Sequence, residues 1–153
     1  EQALMQKNGV FIAHSPESNM NLASGVAPVN NFLDDGLRVG PATDVAGGSH
    51  ESMLRAMTHA IQASKLRWRL YDQEVKPLPF ERAFYLATMG GGAFFGNVGS
   101  FLDGYEFDAV VLDDASLDHP QELSVRARLE RAAYLADDRN LTAKFVAGQK
   151  ILG

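Results

Sequence analysis

Few side chains in this sequence have both the type and the placement to do chemistry. Asp44 follows the short apolar run Leu37-Arg38-Val39-Gly40 and precedes Val45-Ala46-Gly47-Gly48. A carboxylate at the mouth of a buried strand can ligate a metal ion or take a proton as a general base. The commoner role of an Asp in such a loop is an Asx turn or the cap of the next helix. His14 ends a second apolar run, Val10-Phe11-Ile12-Ala13, and is similarly poised. A lone His at a strand end is more often a hydrogen-bonded structural residue than a metal ligand. His50, His59 and His119 show neither HxxxH nor HExxH spacing and read as surface or packing residues. Gly90-Gly91-Gly92 matches no phosphate-cradling pattern, neither GxxxxGK nor GxGxxG, and reads as a flexible turn between two helical pieces. Asp137-Asp138-Arg139-Asn140 reads as a capped turn with a local charge pair.

The elements that must position these residues alternate. Residues 1–8 are amphipathic helix material stopped by Asn8-Gly9. Val10–Ala13 is apolar throughout, as expected of a strand buried on both faces. Ser15 to Gly25 is polar and reads as a loop. Val26, Val29, Phe32 and Leu33 recur at helical spacing up to Gly36. A second strand follows at Leu37–Gly40, then a loop, then a helix from about Glu51 to Trp68. Pro79 suits the first position of a helix over Phe80 to Thr88. After Gly99 come a strand at Phe107–Asp113, a helix over Gln121 to Ala136, and a hairpin over Leu141 to Leu152 turning at Gly148. This strand–helix rhythm predicts an α/β fold with a parallel sheet, whose chemistry sits on the loops after the strands.

The 153 residues suit an ordinary domain, and the hydrophobic share of 46% is normal for a globular chain. A net charge of −5 gives no electrostatic footprint for nucleic acid or an anionic membrane. No apolar run approaches the roughly 20 residues of a membrane span, and no secretory signal opens the chain. With no cysteine, disulfides and Cys-ligated metals are excluded, and a cytoplasmic location is the default expectation.

Read as strings, several segments resemble the amidohydrolase superfamily. His14-Ser15-Pro16-Glu17-Ser18-Asn19-Met20-Asn21-Leu22-Ala23-Ser24-Gly25 resembles the segment that follows barrel strand seven in that superfamily. Val39-Gly40-Pro41-Ala42-Thr43-Asp44 resembles the end of its strand eight. Asp44-Val45-Ala46-Gly47-Gly48, Leu86-Ala87-Thr88-Met89-Gly90-Gly91 and the late Asp137–Asn140 and Phe145–Lys150 segments resemble the guanine deaminase branch in particular. The match runs in register along nearly the whole chain, including the thirty-residue step from His14 to Asp44.

The resemblance implies a TIM-type barrel with one catalytic metal, usually zinc. Residues 1–100 would be its last two βα units. Residues 101–153 would belong to the accompanying small β domain. Asp44 would serve as metal ligand, catalytic group and substrate contact, while His14 would line the substrate pocket. The HxH strand, a third histidine and the catalytic glutamate have no counterpart in the chain. The resemblance therefore implies the C-terminal part of a barrel, inactive alone, that associates with the missing N-terminal part or with copies of itself. Pro41-Ala42 departs from the family's Leu-Gly, and an alanine holds only negative φ comfortably. Two other readings stand beside deamination of guanine: a branch acting on another aminopurine or a chlorotriazine, and a non-catalytic assembly module.

Overall fold

The computed structural model describes every residue, Glu1–Gly153. Its first half is organised by two four-residue strands, β1 (Phe11–His14) and β2 (Arg38–Pro41), which follow α1 (Gln2–Lys7). They run parallel, with Ile12 opposite Val39 and His14 opposite Pro41. Parallel neighbours need a crossover, and here it consists of α2 (Pro16–Asn21) and α3 (Val29–Asp34). The presence of α2 corrects the expectation of a loop from Ser15 to Gly25. Pro16 at the first helical position and Glu17 in the first turn start it. At the end of α3, the amide of Leu37 donates to Phe32 O (2.9 Å) and that of Gly36 to Leu33 O (3.1 Å), as in a Schellman motif.

α4 (Met53–Leu70) starts at Ser52, whose hydroxyl accepts from the Arg55 amide, and buries Ala56, Met57, Ala60, Ile61 and Ala63 along one face. That stripe meets Val29, Leu37 and Val39 from the crossover and β2, with Leu78, Phe80, Ala83 and Leu86 closing the cluster. α5 (Phe80–Tyr85) begins after Pro79, which sits at the N-cap rather than inside the first turn, and widens into a π-helical turn over Leu86–Gly90. The glycine run beyond it is a contact surface and not the flexible turn expected. A Cβ added at Gly40 would come within 2.8 Å of Gly91 Cα, so two glycines let the backbones touch.

β3 (Ala109–Leu112), β4 (Leu141–Val146) and β5 (Gln149–Leu152) form an antiparallel sheet in that order. The expected hairpin is therefore two strands of a three-stranded unit. Its turn lies at Ala147-Gly148, both at positive φ. The two-stranded sheet thus lies before residue 100 and the three-stranded one after it. α6 (Val125–Leu135) packs on α4, and Ala133 joins the main cluster.

The two faces of the small parallel sheet differ. Residues alternate along a strand. Ile12 and Val39 face the core and α4, while Phe11, Ala13 and Gly40 face an open trough of about 620 Å³ also walled by Phe94, Phe95 and Phe145. Val10 and Ala13 are exposed, so the expectation of a strand buried on both faces does not hold for β1.

Candidate functional site

Because β1 and β2 are parallel, the loops leaving their C-terminal ends emerge on the same rim. The Ala42 amide donates to His14 O (2.8 Å), extending the ladder one step past β2. Ala42 has a negative φ, and its departure from the family pattern strains nothing. The chain then turns sharply through Thr43–Ser49. The Gly48 amide donates to Asp44 O (2.6 Å), and the Ala46 amide to Gly48 O (3.2 Å). This turn holds Asp44 at φ +48° and Ala46 at φ +95°. Asp tolerates the left-handed region, whereas Ala does not. Such backbone costs about 1–3 kcal/mol per residue and persists only where surrounding contacts impose it.

Those contacts come from α2. Ser18 Oγ donates to Asp44 Oδ2 (2.5 Å). Asn21 Nδ2 donates to Gly47 O (2.9 Å), and the Ser49 hydroxyl donates to Glu17 Oε1. The Ser49 hydrogen bond holds the Glu17 carboxyl below the usual carboxylate range, with His59 adding to it from 3.8 Å. Ser18 is buried while Asp44 is exposed, so the carboxylate is gripped from beneath and open above. Gly47 is needed at this point. A Cβ there would lie 2.6 Å from Ser18 Oγ and 2.9 Å from Asp44 Oδ2, wedged into the bond between them.

Asp44 takes neither of the commoner roles open to it. It caps no helix, since α4 is capped by Ser52, and its carboxylate accepts nothing from its own loop. Oδ1 has no protein partner. The three α2 residues that fix Asp44 escaped the sequence reading. Pro16 followed by Glu17 was the available signal, because that pair opens a helix.

Expected to line the pocket, His14 lies on the face of β1 that Ile12 shares, turned toward α4. It is 5% exposed and borders a small gap with Pro16, Asn19 and Ala63. Its Nε2 has no partner, and burial lowers its pKa to about 4, so the ring is neutral at pH 7. No hydrogen bond joins it to Asp44. The remaining histidines make local contacts: His50 with Arg55 (2.9 Å), His59 with Glu17, and His119 within its own turn. Asp137–Asn140 is a capped turn, as expected. Asn140 also donates to Asp113 O (2.8 Å) and Ser116 Oγ (3.0 Å), tying the turn to the loop after β3.

No three His, Asp or Glu side chains in the chain are placed to hold a metal ion together. A catalytic zinc takes about three protein ligands plus water. One exposed carboxylate with one free oxygen fits a single ligand position in such a set. No helix is long and apolar enough to cross a membrane.

Comparison with known proteins gives this rim a context. The pattern of the amidohydrolase family matches residues 2–151. Guanine deaminase of Dictyostelium discoideum is 32% identical over 99% of the chain. The crystal structure of guanine deaminase from C. acetobutylicum with guanine bound in its active site superposes with a TM-score of 0.93 and 42% identity, again over 99% of the chain. A zinc-bound adenosine deaminase from Xanthomonas campestris superposes with a TM-score of 0.80 at 25% identity. The chain spans about a third of the length of these proteins: 35% of the first, 36% of the second and 34% of the third.

Proposed function

The chain belongs to the amidohydrolase family, and from that premise we propose that it is the part of a cytoplasmic guanine deaminase that carries the aspartate of the metal centre. In this reading residues 1–100 are the last two βα units of a TIM-type barrel, and residues 101–153 belong to the small β domain beside it. The rest of the barrel supplies the other ligands and the purine pocket. The reaction replaces the C2 amino group of guanine by oxygen from water, giving xanthine and ammonia.

The observation that carries the proposal is the state of Asp44. It stands just past the C-terminal end of a parallel strand, exposed, in a turn strained at Ala46, with one oxygen gripped by a buried hydroxyl and the other free. Strain of this kind gathers at active sites. The metal, when bound, lowers the pKa of water toward neutrality. Asp44 Oδ1 is the atom available as a ligand and as acceptor of the proton that the attacking water gives up. Zinc is the metal favoured by the likeness to the zinc-bound adenosine deaminase. His14 takes no direct part. It supports the rim from behind, through the packing of β1 on α4.

The test uses the full-length protein containing this chain. Guanine should be converted to xanthine with one ammonia released per turnover, and Asp44→Asn should remove at least about 10³-fold of kcat. Conversion of an adenosine analogue or a chlorotriazine in place of guanine would move the protein to another branch. Full activity of Asp44→Asn would end the assignment of the site.

A further inference from the structure

We infer that Ser18 is the positioning residue that presents Asp44 to the metal and to the attacking water, with Gly47 keeping the space that their hydrogen bond needs. The inference rests on the reading of Asp44 given above. An exposed Asp side chain ordinarily samples several rotamers, and a carboxylate rotated by one well would offer a different oxygen in a different place. Here the side chain is fixed by a single bond, from a hydroxyl on a residue that is only 3% exposed. Ser18 occupies Oδ2 and so leaves Oδ1 as the free oxygen. The carboxylate has no other partner in the chain, so nothing else selects between the two oxygens.

The backbone adds to the same constraint. Asn21 holds the Gly47 carbonyl, and Glu17 holds Ser49. With the Ser18 bond to Asp44 on the other side, the turn is pinned before and after the strained Ala46. Three side chains of α2 grip the 44–49 loop, and Ser18 is the one that touches the functional group. Outer partners of metal ligands typically matter at the level of 10- to 100-fold in metal affinity or rate.

Gly47 makes the inference separable from a general loss of structure. Its φ is not positive, so alanine is compatible with its backbone. The atoms nearest to the added Cβ belong to Ser18 and Asp44. Ser18→Ala removes the donor, and Gly47→Ala forces donor and acceptor apart while leaving both in place. These are independent lesions of one bond.

The experiment compares Ser18→Ala, Gly47→Ala, the double variant and Asp44→Asn in the full-length protein. Zinc affinity is read by competition with a chromophoric chelator, and kcat and KM for guanine by turnover. Asp44 geometry is read from metal-free crystal structures. The expected result is that each single variant weakens zinc binding and lowers kcat by about 10- to 100-fold, with KM little changed. The Asp44 carboxylate should rotate away from its wild-type position in both. The double variant should lose no more than either single one, as for two changes that break the same interaction. Should one single variant fail to fold, the other carries the comparison.

Wild-type zinc affinity and kcat in a folded single variant, with Asp44→Asn inactive, would overturn the role of Ser18 while leaving Asp44 as the ligand. Losses that add in the double variant would overturn it as well. Retention of zinc and turnover by Asp44→Asn would instead remove the reading on which the inference stands.

Discussion

Two aspartate turns in this protein satisfy their carboxylates in opposite ways. Asp137 is satisfied locally. It accepts from the Arg139 amide at 3.0 Å and from the Arg139 guanidinium, and Asn140 closes a capping box back onto its amide. The Asp44 carboxylate makes no bond within its own turn. Its partner is Ser18, 26 residues earlier, and the Asp44 backbone sits in the left-handed region with a strained alanine two residues on. A carboxylate that exists to shape a turn uses the amides of that turn. One that is held from a distance, by a residue of another element, keeps an oxygen that its own turn does not use. Family likeness alone does not separate the two, since both segments fall within the matched residues.

The largest expected effect is on turnover. In the full-length protein Asp44→Asn should lose at least about 10³-fold in kcat, whereas Asp137→Asn should stay within a few-fold of wild type. Equal losses at the two sites would erase the distinction drawn here.

Acid titration should divide the regions next. The His14 imidazole is held neutral by burial, with a pKa near 4 against an ordinary value of 6.5. An unfolded chain protonates this ring near pH 6.5 and the folded one only near 4, so the unfolded state binds more protons between those values. Stability should therefore fall as pH drops through that window, by on the order of 3 kcal/mol in all. Asp137 behaves differently. Arg139 holds its carboxyl below the ordinary 3.8, so its contribution is lost only in stronger acid. Urea midpoints measured from pH 7 to 4 should slope downward in the wild type and flatten in His14→Leu. A slope unchanged by that substitution would show that the ring is not buried as described.

A stability effect without a functional one is expected at the second turn. Asn140→Ala removes the buried side-chain amide that donates to Asp113 O, together with the capping box, at a cost of about 1–3 kcal/mol. Turnover of the protein that remains folded should be normal. A kcat defect there would give the second turn a role in the site.

The smallest effect is the most specific to strain. Ala46→Gly relieves a φ of +95°, offset in part by the greater freedom of glycine in the unfolded chain, for a net gain of up to about 1 kcal/mol. A clear loss of stability in thermal melts would mean that Ala46 is not strained.

Much of this architecture is legible before any coordinates. The strands around Ile12 and Val39, the long α4 helix and the closing hairpin all follow from apolar periodicity and turn residues, which are local properties. The place of Asp44 at the rim also follows, since the βα rhythm puts its loop after a strand. α2 does not follow. Pro16–Asn21 is polar and has no apolar stripe, and as a helix of six residues it is marginal alone. It is held by side-chain bonds to a loop that the sequence sets far away. The direction of His14 was equally hidden. A one-residue change of phase along a strand moves a side chain from one face to the other, and short apolar runs leave that phase open.

By itself, then, the sequence determined the family, the order of elements and the candidate carboxylate, because motif spacing and periodicity are written along the chain. Only the tertiary structure decided how that carboxylate is held. The Ser18 grip on Oδ2, the need for Gly47, the contact of Gly40 with Gly91 and the burial of His14 behind β1 each depend on residues distant in sequence meeting at ångström range. Meetings of that kind are set by packing and by hydrogen-bond geometry in three dimensions, and no local pattern encodes them.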